Sequence, residues 1–106
     1  LQKTFGTPHL KHSAFLKKPI TKVALLGGSG AFGIDAALLA GADAYVTADL
    51  KYHDYFKADH HLLLVDIGHY ESEQFTKNIL VRILTKKIAN FAVSLSESNT
   101  NPIKYY

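Results

Sequence analysis

The chain contains no cysteine, no methionine and no tryptophan, and only three prolines. Without cysteine there are no disulfides and no thiolate chemistry, so any bound metal would have to rest on histidine and carboxylate. No apolar run approaches the roughly 18 residues that span a bilayer, and the opening LQKTFGTPHLKHSAF lacks the apolar centre of a signal peptide. Charge of one sign is not concentrated either. The formal net charge is +3, but the basic residues are spread along the chain with no block of five or six, so nucleic acid is not indicated as a partner. Internal repeats and low-complexity tracts are also missing. The expectation is a soluble, cytoplasmic protein without a membrane segment.

What is present is a globular composition: 106 residues, 47% hydrophobic and 20% charged. That is enough for one domain, 1–106, with a real core. The polar, unpatterned start without methionine suits a piece of a longer protein. Segment 21–26 (TKVALL) reads as a buried strand, and GGSG breaks it before the alanine-rich helical run 32–40. Residues 44–47 are a second strand, followed by helical composition over 49–56. Residues 61–66 (HLLLVD) are a third strand, and 70–89 form a helix with Phe75, Ile79, Leu80, Ile83, Leu84 and Ile88 on one face. Segment 91–95 supplies a fourth strand, 96–106 a polar tail, and 9–15 an additional edge strand. Apolar strands alternating with helices predict an α/β fold, a mainly parallel sheet of about four strands with helices on both faces. Ligands on such sheets gather beyond the carboxyl ends of the strands. Residues 27–30, 47–53 and 66–73 should therefore converge on one rim.

Three clusters on that rim invite a chemical reading. The first, Gly28-Ser29-Gly30-Ala31-Phe32-Gly33, matches G-x-G-x-x-G after a strand, with Asp49 downstream as a ribose ligand. Its plainer explanation is a tight turn with close helix packing. In the second, Asp49 is either the N-cap of the next helix or a functional group sharing a face with His53, while Lys51 or Tyr52 hydrogen-bonds an anionic substrate. In the third, VDIGHYESEQF, His69 and Glu73 are spaced i, i+4, so a helix starting near Gly68 aims both at one point, as a mixed N/O metal site needs. Against that, Glu71 and Glu73 also favour the dipole at a helix start. His60-His61 sits where a helix ends and a strand begins and reads as a polar border.

The order of these segments resembles a known family. A strand ending in GGSG, then AGADAYVTADLKYHD, then VDIGHYESE, and a tail ending in TNPIKYY are similar to the carboxyl-terminal half of the Nif-three-like dinuclear metal-centre proteins, also called GTP cyclohydrolase type 2 homologues. The resemblance runs from about Val23 to the end. It implies a site for two divalent ions (zinc, iron, manganese or magnesium) between two similar α/β halves, with His69 and Glu73 as the metal ligands from this half. It also implies His53 as a group for proton transfer or substrate contact, with Asp49, Lys51 and Tyr52 lining the pocket. The family's other ligands, two adjacent histidines and an aspartate, come from its amino-terminal half, and nothing here replaces them. On that resemblance the chain is the carboxyl-terminal fragment of a two-half protein, carrying half of a metal site.

The resemblance implies a metal-dependent hydrolase acting on a small molecule, such as a nucleotide in GTP ring opening. It also implies hexameric rings. Two other readings stand beside it: a metal-binding oligomeric scaffold without catalysis, and a nucleotide-binding module using the turn 28–33.

Overall fold

The computed structural model covers residues 1–106. The chain falls into two compact units, Leu1–Glu73 and Gln74–Tyr106. The first contains a four-stranded sheet built from β1 (Lys11–His12), β2 (Val23–Ser29), β3 (Ala44–Ala48) and β4 (Leu63–Asp66), in the order β1-β4-β3-β2. β2, β3 and β4 run parallel, and β1 pairs antiparallel with β4. The expected α/β class and largely parallel sheet are both present.

Alternation along the strands divides the core in two. Tyr45 and its register partner Leu64 point to one face. There they pack with Ile34 and Ala37 of α2 (Ile34–Leu39) and with Leu50, Ala58 and Leu62. Val46 and its partner Val65 occupy the opposite face with Ile67, against Phe5 of α1 (Gln2–Phe5) and Leu10. Helical elements thus lie on both faces. β3 is buried along its whole length, as a strand flanked on both edges and covered on both faces must be.

Several elements depart from expectation. Segment 91–95 forms no strand, and the fourth strand is the two-residue β1, within the segment 9–15 expected as an edge. The helical run 49–56 is instead a 3₁₀ helix, Tyr52–Ala58. Asp49 has φ 58, outside the helical range, so the helix cannot begin there, and Asp59 and His60 at φ 42 and 59 end it. The long helix 70–89 is two helices, α3 (His69–Glu73) and α4 (Thr76–Lys87). In the second unit, α4 carries the expected apolar face, and Ile79, Leu80, Ile83, Leu84 and Ile88 on or beside it are exposed.

One buried carboxylate ties the start of the sheet together. Asp43 Oδ2 accepts hydrogen bonds from the backbone N–H groups of Thr21 and Lys22 and from the Thr21 hydroxyl, each at 2.9 Å. Its Oδ1 lies 2.8 Å from Lys18 Nζ. Lys18 first, then the backbone donors, hold the Asp43 carboxyl well below the usual carboxylate range. The folded state therefore takes up this proton less readily than the unfolded chain. The stabilisation is complete above the unfolded value of about 4 and is lost as pH falls through the folded value. Asp43→Asn should lower the melting midpoint by several degrees at pH 7 and flatten its decline below pH ~4. Calorimetry across pH 2–7 tests this (~0.5-unit steps suffice to locate a carboxylate limb); parallel acid limbs in both proteins would contradict it.

Candidate functional site

The rim forms because register brings distant residues level. Thr47 pairs with Asp66 across β3 and β4, so the residues just past each strand, Asp49 and His69, emerge side by side. Between β2 and β3 the register shifts: Leu25 pairs with Val46, yet Ser29 pairs with Ala48. The extra residues form a bulge beside α3, with Gly28 at φ 74, and Ser29 beyond it meets Asp49.

Asp66 holds the two loops together. Its Oδ2 accepts from Leu50 N and its Oδ1 from Gly68 N, both at 3.0 Å, so one buried carboxylate fixes the residues next to Asp49 and His69. α3 begins at His69, directly after Gly68 at φ 90. Within α3 the His69 imidazole and Glu73 carboxylate share a face, with Nε2 and Oε2 3.1 Å apart. On the other side of the ring, Nδ1 lies 2.6 Å from Asp49 Oδ2. The Ser29 hydroxyl donates to that same oxygen. Ser72 secures the helix to the turn, accepting from Gly28 N and donating to His69 O, both at 2.8 Å.

The Ser29 hydroxyl and then His69 depress the Asp49 carboxyl, and Asp49 in turn raises His69. The protonated imidazole bridging two carboxylates is thereby favoured, and a cation binding at Nε2 must displace its proton. The side chains of His69, Asp49 and Glu73 are 46%, 49% and 51% exposed, so solutes reach them.

Gly28 leaves a notch above the pair. A Cβ at this position would stand 2.5 Å from Glu73 Oε1 and 3.3 Å from His69 Nε2. The other turn glycines serve packing: a Cβ on Gly30 would meet Thr47 Oγ1 at 1.9 Å, and one on Gly33 would meet the Tyr45 hydroxyl at 2.4 Å. The plainer explanation of the G-x-G-x-x-G stretch, close packing, accounts for Gly30 and Gly33.

The structure gathers Asp49, His69 and Glu73, but it corrects one reading of Asp49. Asp49 caps no helix; the 3₁₀ helix starts from Lys51, whose N–H donates to Asp54 Oδ2 at 2.7 Å. Lys51, Tyr52 and His53 are exposed on this element. The Tyr52 ring packs edge-on to His53 and Phe56, and His53 faces Phe56. His61 lies 4.0 Å from Asp59, away from His69 in these contacts. Ser29 and Ser72 were not singled out in the sequence, and no local signal marks them. No group of three or more histidine, cysteine, aspartate or glutamate side chains is disposed to hold a metal ion. The reason is visible at His69, where Asp49 and Glu73 take opposite ring nitrogens.

Fold and rim together define an α/β protein with a histidine–carboxylate pair at the strand ends, and comparison supplies the family. The model of the Duf34/NIF3 (NGG1p interacting factor 3) family matches residues 1–102, and the chain belongs to that family. A Staphylococcus epidermidis protein named GTP cyclohydrolase 1 type 2 homolog is 38% identical over 109 residues, covering 98% of this chain and 30% of its own length. A Nostoc protein of the same name is 43% identical over 77 residues, covering 70% of this chain and 29% of its own length. Among solved structures, a Staphylococcus aureus protein superposes with TM-score 0.81 at 30% identity, over 99% of this chain and 36% of that one. A Bacillus cereus protein related to NIF3 gives 0.78 at 29% identity, over 99% of this chain and 30% of that one. The chain thus spans about 30% of the length of these curated relatives.

Proposed function

We propose that this chain supplies His69 and Glu73 to a divalent-metal site of a hydrolase acting on a small, nucleotide-like substrate, the rest of the site coming from outside the chain. The observation that carries this reading is the 3.1 Å approach of His69 Nε2 and Glu73 Oε2 on one turn of α3, under the side-chain-free notch of Gly28. One nitrogen and one carboxylate suit zinc, iron or manganese. They fit as two positions of a coordination sphere and fall short of a complete one. The relatives' name, GTP cyclohydrolase 1 type 2 homolog, supports a nucleotide as substrate.

A divalent ion bound there supplies Lewis acidity toward a substrate oxygen. The chain's own residues do the remainder. His69 and Glu73 present their donors outward, and Asp66 keeps the two loops in register beside them. On this reading, Lys51 and Tyr52 contact the anionic part of the substrate, and His53 carries a proton.

Titration calorimetry with zinc or manganese, run beside light scattering to follow assembly, tests the proposal. The chain should take up the ion weakly, and the double variant His69→Ala, Glu73→Ala should lose uptake altogether. Uptake should fall as His69 becomes protonated, because its folded value is raised and the proton competes with the ion. His53→Ala should leave uptake intact yet abolish GTP ring opening in the assembled protein, whereas the double variant should lose both. Equal uptake by the chain and the double variant would overturn the assignment.

A further inference from the structure

Asp49 lies beside His69 but on the far side of the ring from Glu73, and this division of the imidazole has a consequence. We infer that Asp49 is a positioning residue: it holds Nδ1–H of His69 and so commits Nε2, the nitrogen facing Glu73 and the Gly28 notch, to the metal. The inference rests on the metal reading above and assigns Asp49 a role different from lining a substrate pocket.

Three observations carry it. The Asp49–Nδ1 contact at 2.6 Å is shorter than the Glu73–Nε2 contact at 3.1 Å, and an ion at Nε2 excludes a proton there, so a neutral ring that ligates through Nε2 keeps its proton on Nδ1 facing Asp49. Asp49 is itself held, because the Ser29 hydroxyl donates to the oxygen that faces His69 and leaves that carboxylate little freedom to swing. The backbone on either side is fixed as well: Asp49 sits at φ 58, and the next N–H, on Leu50, is bound by buried Asp66. Carboxylates bonded to the distal nitrogen of a ligating histidine set its tautomer and ring orientation, and their loss costs 10–100-fold in metal affinity. Asp49 cannot join Glu73 on the same ion through this geometry, since the imidazole stands between them.

Nitrogen-15 NMR of the full chain, with zinc affinity measured in parallel, decides the matter. Without metal, above the pH at which His69 deprotonates, the ring should be the Nδ1–H tautomer. Asp49→Ala should release it toward Nε2–H, while Asp49→Asn, which keeps an oxygen acceptor, should largely retain Nδ1–H. With zinc, the wild-type signal should show Nε2 coordinated and Nδ1 protonated. Zinc affinity should drop by roughly 10–100-fold in Asp49→Ala with α3 still folded by circular dichroism. Zinc on Nδ1, or a tautomer indifferent to Asp49→Ala, would overturn the inference. A tautomer that switches as expected in a chain that takes up no zinc would uphold Asp49's hold on Nδ1 and refute the metal reading instead.

Discussion

Gly30→Ala should lower the stability of the first unit by roughly 3 kcal/mol or more, and its melting midpoint by more than ~10 °C, from the addition of one methyl group. A Cβ at this position would sit 1.9 Å from Thr47 Oγ1, 2.8 Å from Thr47 Cβ and 2.7 Å from the Tyr45 hydroxyl. None of these atoms can retreat cheaply. The Thr47 hydroxyl donates to Gly28 O at 3.1 Å and the Tyr45 hydroxyl donates to Gly30 O at 2.8 Å, both buried beneath the turn. β3 behind them is packed on both faces, so strain passes into the core rather than into solvent. Gly27→Ala is the control. Its nearest neighbours stand at 3.6 Å, ordinary contact, and the change should cost under ~1 kcal/mol. Denaturant melts of the two variants against the wild type measure the difference; indistinguishable midpoints would refute the packing explanation of the turn.

The elements legible from sequence are those whose signal is local. β3 and β4 are apolar runs because they are buried, whereas β2, read as a buried strand, is the sheet's other edge with Val23 and Leu25 exposed; the His69–Glu73 pair follows from helical spacing alone. Pairing and backbone sign are not local. Residues 91–95 carry as much apolar character as a strand needs, yet a strand exists only where an edge accepts it. Lys11 and His12, which read as polar chain, take that place beside β4. The helix 70–89 is interrupted between Glu73 and Thr76 although Gln74 and Phe75 include no helix breaker, so composition offered no warning. Asp49 is the most instructive residue. Aspartate after a strand is a common N-cap, but a positive φ removes it from the helix and frees its carboxylate for Ser29 and His69. That contact joins residues 20 apart through the Thr47–Asp66 register, which no spacing rule reports.

Asp66→Ala should cost roughly 3 kcal/mol and loosen the rim at the same time. The side chain is 4% exposed and accepts from Leu50 N and Gly68 N, so its removal strands two N–H donors that lie next to Asp49 and His69. Leu50 N, left without a partner in the buried interior, costs about 1–3 kcal/mol, and the half-buried Gly68 N adds less. The ion pair with Lys11, at 3.4 Å, contributes little, because the Lys11 side chain is 69% exposed and water competes for it. Lys11→Ala should therefore melt within about 0.5 kcal/mol of the wild type, although both variants break the same pair. Asp66→Asn keeps one oxygen acceptor and should fall between the two. The functional consequence follows from the same bonds. With Leu50 and Gly68 released, Asp49 and His69 are no longer held level, so hydrogen exchange at both amides should accelerate and zinc uptake should weaken beyond what the lost stability explains. If Asp66→Ala melted and took up zinc like Lys11→Ala, the two loops would be held by their own backbone, and Asp66 would be only a surface ion-pair partner that happens to be buried.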